Sequence, residues 1–153
     1  MITPAESLNP LTEAIQLAVA PVFLLTGVAG MLNALGIRLA RVIDRGRALE
    51  DRLFHATAET EPRYEQFMTE LQSLDRRKKI INGATALMVL CAVLIGMTVV
   101  ELFYSAGMQQ RLQLTQWVGT TFLLGCGSFI AACVLYLVEI FVASQAIVLF
   151  KKP

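Results

Sequence analysis

Three uncharged, predominantly apolar runs dominate the chain: Ala14 to Ile37, Ile80 to Val100 and Leu112 to Val138, of 24, 21 and 27 residues. Roughly 20 helical residues cross the ~30 Å hydrocarbon core of a bilayer, so each run is long enough to span one. Asn9 followed by Pro10 reads as an N-cap with proline in the first helical position, which starts the first helix just outside the lipid. Pro21 falls inside that span and is a candidate kink. The residues ahead of the first run, Met1 to Glu13, hold no Lys or Arg, whereas a secretory signal begins with a basic segment. This first run is therefore expected to stay attached.

Between the first two runs the pattern changes. From Arg38 to Lys79 charge is frequent, yet Leu39, Val42, Ile43, Leu49 and Leu53 fall on one helical stripe, and Tyr64, Phe67, Leu71, Leu74 and Ile81 recur at three- and four-residue steps. The pattern predicts two helical arms, Leu39 to Ala56 and Arg63 to Lys79, joined by a turn over Thr57 to Pro62 and facing each other as an antiparallel hairpin. Beyond Glu139 uncharged sequence resumes and reaches Phe150. Leu112 to Phe150 as one helix would be ~58 Å long, so part of it must leave the bilayer. With Trp117 at the outer interface, Glu139 lies ~33 Å further on, at the inner boundary beside Arg76 to Lys79. Were Lys151 and Lys152 the boundary instead, Glu139 would sit inside the membrane at much greater cost.

The expected fold is thus an all-α membrane protein forming one domain over 1–153. Spans lie near 14–37, 80–100 and 112–138, with a cytoplasmic helical hairpin over 38–79 and a cytoplasmic helical tail over 140–153. Composition agrees: of 153 residues 56% are hydrophobic and 16% charged, with a mean hydropathy of +0.60. That apolar share excludes disordered, collagen-like and disulfide-scaffold classes. The net charge of +1 gives no field that would gather nucleic acid. Its distribution is uneven: ten basic residues lie between Arg38 and Lys79, two more are Lys151 and Lys152, and Arg111 alone stands in the other loop. The positive-inside rule then puts the N-terminus outside and the connection and C-terminus in the cytoplasm.

Catalytic chemistry is not expected. The only imidazole is His55, near the hairpin tip; Cys91, Cys126 and Cys133 lie in spans without metal-ligand spacing, and no phosphate-binding glycine loop is present. No cofactor or metal follows from these residues. Small residues four apart, Gly30 with Ala34, Gly36 with Ala40, Ala92 with Gly96 and Gly127 with Ala131, would let helices approach closely. Asn33, Thr26, Thr85, Thr98, Thr120, Thr121 and Ser128 are polar groups in lipid that need partners, which favours a homo-oligomer. A ring of Glu101 or Glu139 in such an oligomer could draw cations to a pore lined by Thr98, Thr120, Thr121, Ser128 and Asn33. The plainer reading is that Glu101 ends a span and Glu139 pairs with the boundary cluster of Arg38, Arg41, Arg76, Arg77, Lys78 and Lys79. A channel-like, cation-conducting assembly is the leading expectation. The alternative is a scaffold or regulatory module that recruits a protein partner through the charged hairpin.

Three segments carry a family resemblance: Asn33-Ala-Leu-Gly-Ile-Arg-Leu-Ala-Arg41, Leu74-Asp-Arg-Arg-Lys-Lys-Ile-Ile-Asn82 and the closing stretch Ser128 to Ser144. Together they resemble bacterial membrane proteins grouped as domain-of-unknown-function family 2721. The resemblance implies a bacterial inner-membrane protein with three spans, a basic cytoplasmic connection and a Glu near the end of the third span, here Glu139. It implies no activity and no ligand site. The topology alone also resembles the stator class typified by ExbB, TolQ and MotA, to whose threonines Thr120 and Thr121 are loosely similar.

Overall fold

The computed structural model describes residues 10–55, 61–107 and 111–149, with side chains over 12–52, 68–106 and 116–144. All described residues are helical: α1 is Pro10–His55, α2 is Glu61–Gly107 and α3 is Arg111–Leu149. Neither the step from Ile37 to Arg38 nor that from Lys79 to Ile80 interrupts a helix, so the charged arms are continuous with the first two uncharged runs. Pro21 is accommodated within α1. Glu61 and Pro62, expected in the turn, instead open α2, because proline is tolerated in a first turn where no intrahelical N–H bond is made. Thr57 to Thr60, the rest of that turn, lie outside the described residues. α2 continues to Gly107, beyond Glu101, and α3 passes Glu139 without a break.

All three helices are long and apolar enough to cross a membrane. Only 17–22% of the most apolar window of each is buried by the rest of the chain. Outward-facing Phe23, Val100, Trp117 and Leu123 are each about 70% exposed, an arrangement that water would penalise and hydrocarbon would not.

The helices pack as two compact units. In the unit formed by residues up to 31 and 87–130, most buried positions are small, Met88 and Ile95 being the larger ones: Ala14, Ala18, Pro21 and Val28 of α1; Met88, Cys91, Ile95 and Thr98 of α2; Gly125 and Ser128 of α3. Lipid tails are as apolar as these side chains, so close van der Waals contact rather than hydrophobic transfer must hold the helices together. Among the described glycines, Gly125 makes the closest approach to a neighbouring helix. A Cβ there would stand 2.8 Å from Ile95 Cδ1, 3.2 Å from Ile95 Cγ1 and 3.4 Å from Leu94 Cβ. In the unit formed by residues 32–86 and those from 131, the buried positions are Leu35, Val42 and Leu49 of α1, Leu74, Ile81 and Ala84 of α2, and Ala132 and Glu139 of α3.

The glycines singled out from four-residue spacing lie elsewhere: a Cβ on Gly30, Gly36, Gly96 or Gly127 meets nothing within 4 Å. Gly125→Leu should therefore destabilise by ~1–3 kcal/mol through overpacking against Ile95. Gly127→Leu, two residues on, should leave thermal unfolding in detergent unchanged. Equal effects of the two would contradict the assigned face of α3.

Candidate functional site

Glu139 is the sole acidic residue of α3, whose one other charge is Arg111 at its start, and it is completely buried. Burying an unpaired carboxylate is prohibitively costly, so its surroundings must neutralise it. Two helices do so. Arg38 of α1 donates from Nη1 to Oε2, while Arg77 of α2 donates to Oε1 from Nη2 at 2.9 Å and from Nε at 3.3 Å. The second guanidinium thus grips one oxygen through two N–H groups, and the first takes the other oxygen. Arg38 also lies over the Tyr136 ring, with 5.0 Å to the centroid, one turn before Glu139 on the same helix. The three charges join three helices inside one unit.

The rest of the boundary cluster is more open. Arg41, Arg76 and Lys78 are exposed, and Lys79 pairs with Asp75 one turn back at 2.8 Å. Outside the uncharged run, this Lys79 hydrogen bond and charge hold the Asp75 carboxyl below its usual range, and Asp75 in turn raises the Lys79 ammonium. Further along the arms Arg45 of α1 reaches Glu70 of α2 through Nη2 at 2.8 Å and Nε at 3.0 Å. Beside these residues Arg38, Arg41, Arg45 and Arg77 line a recess of about 250 Å³ with Val42, Leu74 and Ala143.

The polar residues read as pore candidates divide differently. In the other unit, Glu101 and Thr121 come together: Thr121 Oγ1 stands 3.3 Å from Glu101 Oε1 and 3.0 Å from the Trp117 carbonyl, to which its single hydrogen can alternatively be donated. Glu101 Oε2 is buried without a hydrogen-bond partner. Ser128 of α3 donates across to the Leu87 carbonyl of α2 at 2.7 Å. Thr98 and Thr120 donate back along their own helices, to Leu94 and Gln116 carbonyls at 2.9 and 2.8 Å, and Asn33 is exposed. Thr85 likewise donates to the Ile81 carbonyl at 2.8 Å. Ala34 and Ala92 are half-buried and Ala131 is exposed.

Among the described residues no group of three or more His, Cys, Asp or Glu side chains could hold a metal ion. Cys91 is buried, and Cys126 and Cys133 are half-buried. Three features escaped the sequence reading: the Tyr136 contact, the Arg45 to Glu70 bridge and the close approach at Gly125. The first had a usable signal, since Tyr136 precedes Glu139 by three residues and so shares its face. The other two depend on helix pairing that periodicity does not specify.

The sequence model of the family described as protein of unknown function (DUF2721) matches residues 18–149. No curated protein and no solved structure matches the chain.

Glu139→Gln should cost about 3 kcal/mol, the low end for breaking a buried charge pair, because Arg38 and Arg77 keep 35% and 24% exposure and can be partly resolvated. Arg38→Gln and Arg77→Gln should each cost less, since the other guanidinium still holds the carboxylate. Thermal unfolding in mild detergent, followed by helical circular dichroism, checks the order. Equal losses in all three variants would mean that the carboxylate is not shared.

Proposed function

Because the chain belongs to the DUF2721 family, whose description names no activity, we propose a function from its own geometry: a membrane-anchored binding module that recruits a protein partner. The observation that carries this reading is the continuity of α1 and α2 into arms that pair through Arg45 and Glu70, bury Leu49 and Leu74, and expose charge. Such arms hold exposed charges of both signs at Asp44, Arg47, Glu50, Arg52, Asp75 and Lys78, of which Arg47, Glu50, Asp75 and Lys78 line an open recess with residues of both arms, and they continue membrane-long apolar helices. Mixed charge suits a protein surface better than an anionic bilayer surface, which would repel the carboxylates. The excess of Lys and Arg between 38 and 79 supports placing the arms and the C-terminus in the cytoplasm of a bacterial inner membrane, with the N-terminus outside. The protein then acts by binding, not by catalysis.

The closed Arg38–Glu139–Arg77 cluster supports this reading over conduction at that level, because the carboxylate is already neutralised within one chain. A second reading rests on Glu101. Its unpartnered, buried Oε2 in an apolar unit is the kind of group that marks an ion route when copies of the chain assemble around it. The open faces at Gly30 and Gly127 leave room for another copy to approach.

Replacing residues 45–70 by a short flexible linker should abolish co-purification of crosslinked partners while the protein still inserts and elutes as a discrete species. An unchanged partner set would overturn the binding-module reading. Proteoliposomes separate the two readings: no cation flux is expected, whereas flux that Glu101→Gln removes would favour the channel.

A further inference from the structure

The recess beside Glu139 has more positive charge than its own carboxylates balance. Arg38, Arg41 and Arg45 lie three and four residues apart on α1 and so share one face, and Arg77 faces them from α2. Arg38 and Arg77 divide one carboxylate, Glu139, and Arg45 takes Glu70. Four guanidinium groups therefore meet two carboxylates, which leaves an excess of two positive charges. Arg41 is exposed and makes no ion pair among the described residues. Like charges concentrated in this way repel one another unless an anion joins them.

The shape of the recess narrows the anion. About 250 Å³ accepts a tetrahedral oxyanion with its ester substituents, and Leu74 and Ala143 supply an apolar wall beside the arginines. Guanidinium forks match phosphate oxygens in geometry and charge. We infer that this recess binds a phosphate ester group, with Arg41 supplying the charge that the chain itself leaves unpaired. Arg38 and Arg77 flank the ends of the uncharged runs that stop at Ile37 and begin at Ile80, which is the depth of phospholipid headgroups. An anionic phospholipid and a soluble phosphate compound offer the same group. Only the lipid source rests on the boundary placement proposed above, and recruitment of a protein by the arms is read by a separate variant.

The test uses the full-length protein, stripped of lipid in detergent and titrated with phosphatidylglycerol, with phosphatidylcholine of the same chains, and with inorganic phosphate, binding being followed by native mass spectrometry and melting temperature. Expected is a preference for phosphatidylglycerol over phosphatidylcholine that Arg41→Gln weakens at least about tenfold, the value of one charged hydrogen-bonding group. Arg76→Gln, an exposed neighbouring charge that does not line the recess, should leave it unchanged. Arg41→Lys keeps the charge without the fork, gives an intermediate loss, and stands in should Arg41→Gln fail to fold. Stabilisation by inorganic phosphate that depends on Arg41, without a lipid preference, supports the site and assigns it to a soluble ligand. Equal weakening by Arg41→Gln and Arg76→Gln would mean a diffuse surface attraction and overturns the inference, as does the absence of any effect from all three probes.

Discussion

A carboxylate buried in an apolar helix is the constraint to which one unit of this protein is built. Glu139 leaves α3 no freedom at its level: its two oxygens need donors, and the donors come from α1 and α2. Arg38 and Arg77 in turn tolerate each other's proximity because the negative charge lies between them. Replacing such a cluster by apolar side chains often costs nothing or even stabilises, so its presence speaks for specificity of arrangement more than for strength. Three apolar helices in lipid have many acceptable ways to lie side by side. A shared charge selects one.

Elsewhere selection is by size. Beside Met88 and Ile95, the buried residues of the first unit are mostly alanine, cysteine, threonine, serine and glycine, while phenylalanine, tryptophan and leucine side chains are exposed at Phe23, Trp117 and Leu123. This departs from the pattern of a protein in water and has a direct cause: hydrocarbon solvates large apolar side chains as well as the interior does, whereas backbones approach only where side chains are small. The hydroxyl groups divide by reach. Thr85, Thr98 and Thr120 satisfy themselves on carbonyls of the preceding turn and ask nothing of another helix, whereas Ser128 donates its proton to α2.

These two rules explain what could be read from the sequence. The three long apolar helices followed from run length alone, and the family resemblance follows from residues at their charged ends. The continuity of α1 and α2 through Arg38 and Lys79 was legible because the charged arms keep an amphipathic stripe that includes Val42, Leu49, Leu71 and Leu74. Inside the spans that signal disappears, since both faces are apolar, and four-residue spacing of small residues pointed to Gly127 where the close contact is at Gly125. Charge counting gathered Arg38, Arg77 and Glu139 into one neighbourhood but could not choose them from Arg41, Arg76, Lys78 and Lys79, because that choice depends on the rotation of each helix. The unpartnered oxygen of Glu101 has no sequence signature of any kind.

The buried positions of α1 carry a last consequence. Ala14, Pro21, Val28, Leu35, Val42 and Leu49 recur at intervals of seven. One extra residue in an α-helix turns everything beyond it by about 100°, whereas seven extra residues leave it within about 20° of its former heading. An insertion of one residue between Arg38 and Val42 would turn Val42 and Leu49 away from the face that holds Leu35 and Arg38 within the same unit. Natural variation in the length of α1 between Leu35 and Leu49 should therefore come in steps of whole heptads.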